Sequence, residues 1–119
     1  MLLVEDDKSI REVFSIALRD EGHIVEEAGD GIEALESLRR EAPDVVVLDM
    51  MMPRMDGPTF LNTCRGLSLQ VTVPVVLMSA GNGIEMQARQ LGIRDWLRKP
   101  LELDALTAVV ARLACSHAA

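Results

Sequence analysis

The feature that most constrains the fold is a run of four apolar residues, 45–48, that ends at a single carboxylate, Asp49. An apolar run without polar alternation is typical of a strand buried on both faces, as in a parallel sheet covered by helices. Asp49 then lies at the carboxyl end of this strand, where open α/β sheets bind their ligands. A lone aspartate in that place more often forms a turn or caps a helix, so its interpretation depends on which other residues reach the same edge.

Length and composition indicate one globular domain over residues 1–119. The hydrophobic fraction of 49% argues against a disordered chain. Because the sequence has no apolar run of membrane-spanning length and no signal peptide at its start, we expect a cytoplasmic protein without a membrane partner. The net charge of -7 argues against direct contact with nucleic acid. Cys64 and Cys115 form no close-spaced metal or redox motif, so reduced thiols are expected.

Strand-like and helix-like segments alternate five times along the chain. Strands are predicted at residues 1–4, 23–28, 45–48, 73–78 and 93–97, and an amphipathic helix follows each of them. This alternation predicts an α/β fold, a parallel sheet with helices on both faces. Right-handed crossovers favour a flavodoxin-like, doubly wound five-stranded parallel sheet of order 2-1-3-4-5 with five helices.

Several polar residues indicate where the helices begin and end. Ser9 and Glu12 match a capping box for the first helix. Asp56, followed by glycine and proline, is a candidate cap for the third helix. Gly92 is expected to end a short fourth helix.

The predicted strand order brings the polar residues at the strand ends together. Strands 1 and 3 are neighbours, so Asp6, Asp7 and Asp49 are expected to converge. Ser79 ends strand 4 and Lys99 follows strand 5 at the same edge. Crowded carboxylates repel one another unless a cation neutralises them, and Mg²⁺ prefers oxygen ligands and leaves room for a phosphate oxygen. Carboxylate, divalent cation, ammonium and hydroxyl are together the groups needed to transfer a phosphoryl group to an aspartate.

Four motifs, in order at matching strand ends, resemble the signature of response-regulator receiver domains, the phosphorylation switches of two-component signalling. The motifs are Glu5-Asp6-Asp7, Asp49 with Met52-Pro53-Arg54-Met55-Asp56-Gly57, Ser79-Ala80, and Lys99-Pro100. The resemblance covers essentially the whole chain.

This resemblance implies that Asp49 is the phosphoacceptor and attacks the phosphoryl group of a partner kinase's phosphohistidine. Asp7 and Asp49 would bind Mg²⁺, or another divalent cation such as Mn²⁺, directly, and Asp6 would assist. Met51 would contribute its backbone carbonyl to the same cation. The chain would then be a switch and not a conventional enzyme, with self-phosphorylation and self-dephosphorylation as its only chemistry.

On the other side of the acceptor, the resemblance implies that Ser79 bonds a phosphoryl oxygen and that Lys99 pairs with it. The Lys99–Pro100 bond would be cis, as it often is in this family. Trp96 occupies the position of the family's switch aromatic, usually Tyr or Phe, and is bulkier than either. The implied partners are a histidine kinase or phosphotransfer protein and an output domain or downstream protein, bound through the face of helix 4, strand 5 and helix 5. A phosphorylation-dependent dimer is left open.

Three alternative functions fit parts of the pattern. The first is an interaction module on the same fold that works without phosphorylation. A Mg²⁺-dependent aspartyl phosphatase would need an Asp-x-Asp motif after strand 1 and a cap domain, whereas this chain has Asp6-Asp7-Lys8-Ser9 and no cap. A flavin-binding electron carrier would need a phosphate loop rich in Ser, Thr and Gly after strand 1, where this chain has acids.

Overall fold

The computed structural model, which describes residues 1–52, 55–66, 73–81 and 83–118, alternates five strands with five helices in those ranges. The strands are β1 (Leu2–Val4), β2 (Glu26–Ala28), β3 (Val46–Asp49), β4 (Val75–Ser79) and β5 (Asp95–Arg98). The helices are α1 (Lys8–Asp20), α2 (Gly31–Arg40), α3 (Gly57–Gly66), α4 (Ile84–Leu91) and α5 (Leu103–Ala118). The motif residues Pro53 and Arg54 lie outside the described residues.

The strands form one parallel sheet of order β2-β1-β3-β4-β5, which confirms the predicted α/β topology. In the register of β1 and β3, Val4 lies opposite Leu48. The first residue after β1, Glu5, is therefore level with Asp49 at the end of β3. All strands point the same way, so their carboxyl ends meet at a single edge of the sheet.

The core lies on both faces of the three central strands, and every residue of β1, β3 and β4 is buried. Successive residues of β3 pack on opposite faces, because side chains alternate along a strand. Val46 and Leu48 join a cluster with Phe60 and Ile84 from α3 and α4, whereas Val47 packs with residues of α1 and α5. This packing on two faces explains why the run around residue 47 shows no polar alternation.

The start of α1 differs from the prediction. Asp7 is the N-cap, and its Oδ1 accepts a hydrogen bond from the backbone N–H of Ile10 at 3.1 Å. The expected capping box of Ser9 and Glu12 is therefore wrong, because the helix begins earlier and places both residues inside it. The short side chain of an aspartate at the N-cap satisfies a backbone donor that has no partner within the helix.

Other boundaries agree more closely with the sequence. The Oδ1 atom of Asp56 accepts from the N–H of Thr59 at 2.9 Å, which confirms Asp56 as the cap of α3. Gly92, with a φ of 75°, ends α4 as predicted. The two edge strands are shorter than expected, since β2 starts at Glu26 and not at residue 23, and β5 starts at Asp95 and not at residue 93. Among the described helices, none is long and apolar enough to span a membrane.

Candidate functional site

Three carboxylates converge at the carboxyl edge of the sheet. Oxygen atoms of Glu5, Asp6 and Asp49 all lie within 4.8 Å of one another. Glu5 is 0% exposed and Asp49 is 3% exposed, whereas Asp6 faces solvent. The register of β1 and β3 explains the arrangement, because it sets Glu5 and Asp49 side by side on neighbouring strands.

Lys99 provides the cation of this site. Its Nζ donates to Oε1 of Glu5 at 2.6 Å and to Oδ2 of Asp49 at 3.1 Å. The backbone N–H of Lys99 donates to the carbonyl of Ser79 at 2.8 Å, which ties the chain after β5 to the end of β4. The Lys99–Pro100 peptide bond is cis, as the resemblance implied.

The charges of these three groups influence one another. Burial raises the pKa of Glu5 to about 8, and the adjacent Asp49 carboxylate adds to the rise against the effect of Lys99. Burial also acts to raise the pKa of Asp49, but bonds from Glu5, Met51 and Lys99 outweigh it and leave that pKa below its ordinary value. Burial acts to lower the pKa of Lys99, and the two carboxylates overcome it and raise the pKa. At neutral pH the expected state is an ionised Asp49, a charged Lys99 and a largely protonated Glu5.

One buried oxygen of the cluster accepts no hydrogen bond from the described residues. It is Oε2 of Glu5, a buried atom. Since buried polar atoms are nearly always paired, an exception at a group of crowded carboxylates indicates a place for a ligand or an ion. The two buried carboxylates share the ammonium group of Lys99, and the solvent-facing Asp6 adds a third carboxylate, so the donor set fits a hard divalent cation.

The remaining contacts of the predicted acceptor lie in the loop after β3. Oδ1 of Asp49 accepts from the backbone N–H of Met51 at 3.0 Å. The Met51 side chain itself is 73% exposed. Ser79 is buried at the end of β4, and its Oγ accepts from the N–H of Gly81 at 3.2 Å.

One residue predicted for the site lies elsewhere. The Asp7 carboxylate caps α1 and is not one of the three carboxylates that converge, so the structure places Glu5 where the sequence interpretation had placed Asp7. Trp96 lies on β5 opposite Leu77, partly buried and packed against the larger core cluster. The guanidinium of Arg98 lies 6.0 Å from the centroid of its ring, a cation–π distance.

One cavity is separate from this site. It has a volume of about 670 Å³ and lies at the opposite edge of the sheet, where Met1, His23 and Asp44 line it. These residues precede strands, so the cavity is at the amino ends of the strands, away from the carboxylates.

Comparisons with known proteins agree with the fold. The chain is 40% identical over 116 residues to the response regulator MprA of Mycobacterium leprae, which covers 95% of this chain and 50% of that protein. It thus spans about half the length of the curated relatives it matches. Its structure is similar to the receiver domain of the Francisella response regulator 1452, with a TM-score of 0.86, 31% identity and coverage of 97% of this chain and 95% of that one.

A second similar structure is the receiver domain of NtrX from Brucella abortus, with a TM-score of 0.85, 32% identity and coverage of 97% of this chain and 98% of that one. The family model described as "Response regulator receiver domain" matches residues 1–111. The sheet order, the acidic edge and these similarities lead to one conclusion: the chain belongs to the family of response regulator receiver domains.

Proposed function

We propose that this domain is a phosphorylation-activated signalling switch in which Asp49 accepts the phosphoryl group. The observation that carries the proposal is the position of the Asp49 carboxylate, buried at a strand end beside two other carboxylates and 3.1 Å from the Lys99 ammonium. Its lowered pKa keeps the carboxylate ionised, which is the form that acts as a nucleophile.

The acceptor step needs no other nucleophile from the chain. An oxygen of the Asp49 carboxylate attacks phosphorus, a new O–P bond forms, and the P–N bond to the donor's histidine breaks. The imidazole leaves with the electron pair of that bond and takes up a proton. Lys99, which already reaches Asp49, is placed to pair with the phosphoryl oxygens, and ammonium groups stabilise such charge.

A divalent cation, Mg²⁺ or another such as Mn²⁺, fits the donor set of the three carboxylates and the unpaired oxygen of Glu5. Asp6, Asp49 and Glu5 would hold it, together with the backbone carbonyl of Met51. When bound, such an ion neutralises negative charge on the carboxylates and the phosphoryl oxygens. In this proposal Asp7 keeps its role as helix cap and leaves the ligand set.

The switch itself would act through Ser79. Its hydroxyl now accepts from the N–H of Gly81, and after phosphorylation it would instead donate to a phosphoryl oxygen. That rotation would remove the bond to Gly81 and shift the loop that leads into α4. Gly83 and Gly92, both in left-handed conformation, flank α4 and permit it to adjust. Trp96, which packs against the larger core cluster, is the predicted switch aromatic. Phosphorylation of Asp49 would shift the population of the domain toward the active arrangement.

The partners of this proposal are a histidine kinase or phosphotransfer protein as donor and an output domain or downstream protein as receiver of the signal. The face of α4, β5 and α5 would change its affinity for the latter. The half-length match to response regulators of greater length supports an output domain in the whole protein. Self-phosphorylation from a small donor, a phosphorylation-dependent dimer and a cytoplasmic location stay predictions.

Mass spectrometry after incubation with acetyl phosphate tests the acceptor. We expect a Mg²⁺-dependent gain of one phosphoryl group in the wild type and in Asp20→Asn, a matched control at an exposed aspartate of α1. Asp49→Asn is expected to lose the gain entirely, because an amide cannot act as the nucleophile. Uptake by the Asp49→Asn variant would point to another acceptor. Failure of the wild type to gain mass would favour an interaction module that works without phosphorylation.

A further inference from the structure

Arg11, in the first turns of α1, connects the acidic end of β1 to the edge strand β2. Its Nη1 donates to the backbone carbonyl of Glu5 at 2.8 Å, and its Nε donates to Oε1 of Glu27 at 3.2 Å. The side chain is 18% exposed. The guanidinium also lies against the backbone of Gly29, where an added Cβ would be 3.3 Å from Nη1. The guanidinium of Arg11 therefore links α1 both to the end of β1 and to the edge strand β2.

The carbonyl that Arg11 binds belongs to the peptide plane between Glu5 and Asp6. The N–H of Glu5 donates to the carbonyl of Ala28 at 3.1 Å, so the backbone of Glu5 is bonded on both sides of its Cα. Asp6 lies beyond the end of β1 and faces solvent, where the strand ladder no longer sets its direction. The charge-assisted hydrogen bond from Arg11 to the Glu5 carbonyl fixes this peptide plane. The directions of the Glu5 and Asp6 side chains depend on that plane.

We propose that Arg11 is a positioning residue that orients the Glu5–Asp6 peptide plane and thereby aims both carboxylates at Asp49 and its cation. The inference rests on the proposed function, since it concerns the same cation site. It adds a residue of α1 that touches none of the three carboxylate groups.

Glu27 anchors Arg11 in this arrangement and also supplies the control. Its carboxylate accepts from Arg11, from Oγ of Ser15 at 3.3 Å and from Nη2 of Arg19 at 3.3 Å. Arg19 bonds in addition to the carbonyl of Val25, at the end of α1 far from the acidic segment. Arg11 and Arg19 thus both donate to Glu27 and both carry a positive charge, but of the two only Arg11 contacts the backbone of Glu5.

The direction of the change in Mg²⁺ affinity distinguishes a positioning role of Arg11 from a long-range effect of its charge. Removing a positive charge near an acidic site reduces the repulsion of an incoming cation and strengthens its binding. Loss of orientation spreads the carboxylates and weakens binding. Residues that orient metal ligands through hydrogen bonds affect affinity by about tenfold or more. The two effects of Arg11→Ala therefore oppose each other, and the proposal requires the weakening to exceed the gain.

Calorimetric titration of Mg²⁺ into the wild type, Arg11→Ala, Arg11→Lys and Arg19→Ala tests the proposal. We expect Arg11→Ala to weaken binding by about tenfold. Arg19→Ala should bind as tightly as the wild type or slightly more tightly. Arg11→Lys should recover part of the loss, because an ammonium can reach the carbonyl or Glu27 but lacks the guanidinium's fork for both. Urea unfolding of each variant separates lost affinity from lost stability.

Glu27→Ala keeps the test informative if Arg11→Ala does not fold. It releases the anchor without changing Arg11, whose bond to the Glu5 carbonyl stays, and we expect a smaller loss of Mg²⁺ affinity than a full loss of Arg11 would give. Unchanged or tighter Mg²⁺ binding by Arg11→Ala would overturn this inference, as would an equal weakening by Arg19→Ala. If the wild type still gained a Mg²⁺-dependent phosphoryl group in that case, the proposed function would stand alone. A wild type that binds no Mg²⁺ would overturn both.

Discussion

Two clusters of charged side chains flank β1, and they are built in opposite ways. On the β2 side, one carboxylate, Glu27, accepts from two guanidinium groups and a hydroxyl, and it is 29% exposed. At the carboxyl edge, one ammonium, Lys99, serves two carboxylates that are almost fully buried. The first cluster has three donors for one carboxylate, whereas the second has one ammonium group for two carboxylates.

This difference separates a structural contact from a functional site. A carboxylate with several donors near the surface stabilises the packing of α1 on the sheet and leaves nothing unpaired. Crowded, buried carboxylates with one cation destabilise the folded chain unless a proton or another cation joins them. A chain retains such an arrangement when the missing charge is supplied by a ligand.

The largest expected effect comes from Lys99→Met, which removes the only described cation of the buried cluster. Without Mg²⁺ we expect the free energy of unfolding to fall by about 3 kcal/mol near neutral pH, because the buried Asp49 carboxylate loses its cationic partner and Glu5 loses a hydrogen-bond donor. Urea unfolding measures it. The loss should shrink at acidic pH, where protons replace the ammonium. An equal loss at every pH would show that Lys99 acts through packing alone.

A second effect concerns pH. Burial raises the pKa of Glu5 from 4.5 to about 8, so the folded chain holds this proton more tightly than the unfolded chain does. The resulting stabilisation is complete below the unfolded pKa and is lost as pH rises through the folded pKa. The metal-free domain should therefore lose stability between about pH 5 and about pH 8. Asp49, whose pKa is lowered, acts in the opposite direction at lower pH.

Glu5→Gln is the matched variant for this pH effect, since it keeps the shape and removes the titration. Its stability is expected to vary less with pH over the same range, as followed by thermal unfolding in buffers of constant ionic strength. A wild type whose unfolding free energy stays constant across that range would contradict the raised pKa of Glu5.

Glu27→Ala tests the cluster on the β2 side. It leaves Arg11, Arg19 and Ser15 without a common acceptor, but the cluster is partly exposed and water can replace the lost bonds. We expect a loss of about 1 kcal/mol in urea unfolding. A loss as large as that of Lys99→Met would mean that the two clusters do not differ in kind.

Arg40→Ala should have the smallest effect. Arg40 Nη2 lies 2.8 Å from Oε1 of Glu26, but the two side chains are 68% and 55% exposed. Exposed ion pairs of this type contribute about 0.5 kcal/mol or less. Thermal unfolding at low and high salt checks this. A clear shift would show that the edge strand β2 depends on this pair.

The parts of the fold that the sequence predicted well are those where local pattern and global packing agree. The apolar runs at residues 45–48 and 73–78 correspond to the buried strands β3 and β4. The edge strands were less well predicted because they pair on one side only and their ends depend on tertiary contacts. Asp49, Ser79 and Lys99 were predicted at the site edge because each ends or follows a strand in the chain order.

Glu5 was missed because three acids follow one another and nothing local says which of them is level with Asp49. The answer lies in the register, which sets Val4 opposite Leu48. A signal was present, since the apolar run of each strand is followed directly by an acid, Glu5 after Val4 and Asp49 after Leu48. Asp7, two residues further on, is already within reach of the first turn of α1 and caps it.

The in-register pairing of β1 and β3 also determines how the site responds to damage. Neighbouring strands lie about 4.7–4.9 Å apart, and the register sets Glu5 level with Asp49 across β1 and β3. The backbone positions of Glu5 and Asp49 thus follow from the hydrogen-bonded strands and not from the size of the side chains beneath. Substitutions in the core can lower stability without resizing the cluster. The site should keep its dimensions up to the point where the sheet separates, and lose them in the same cooperative step.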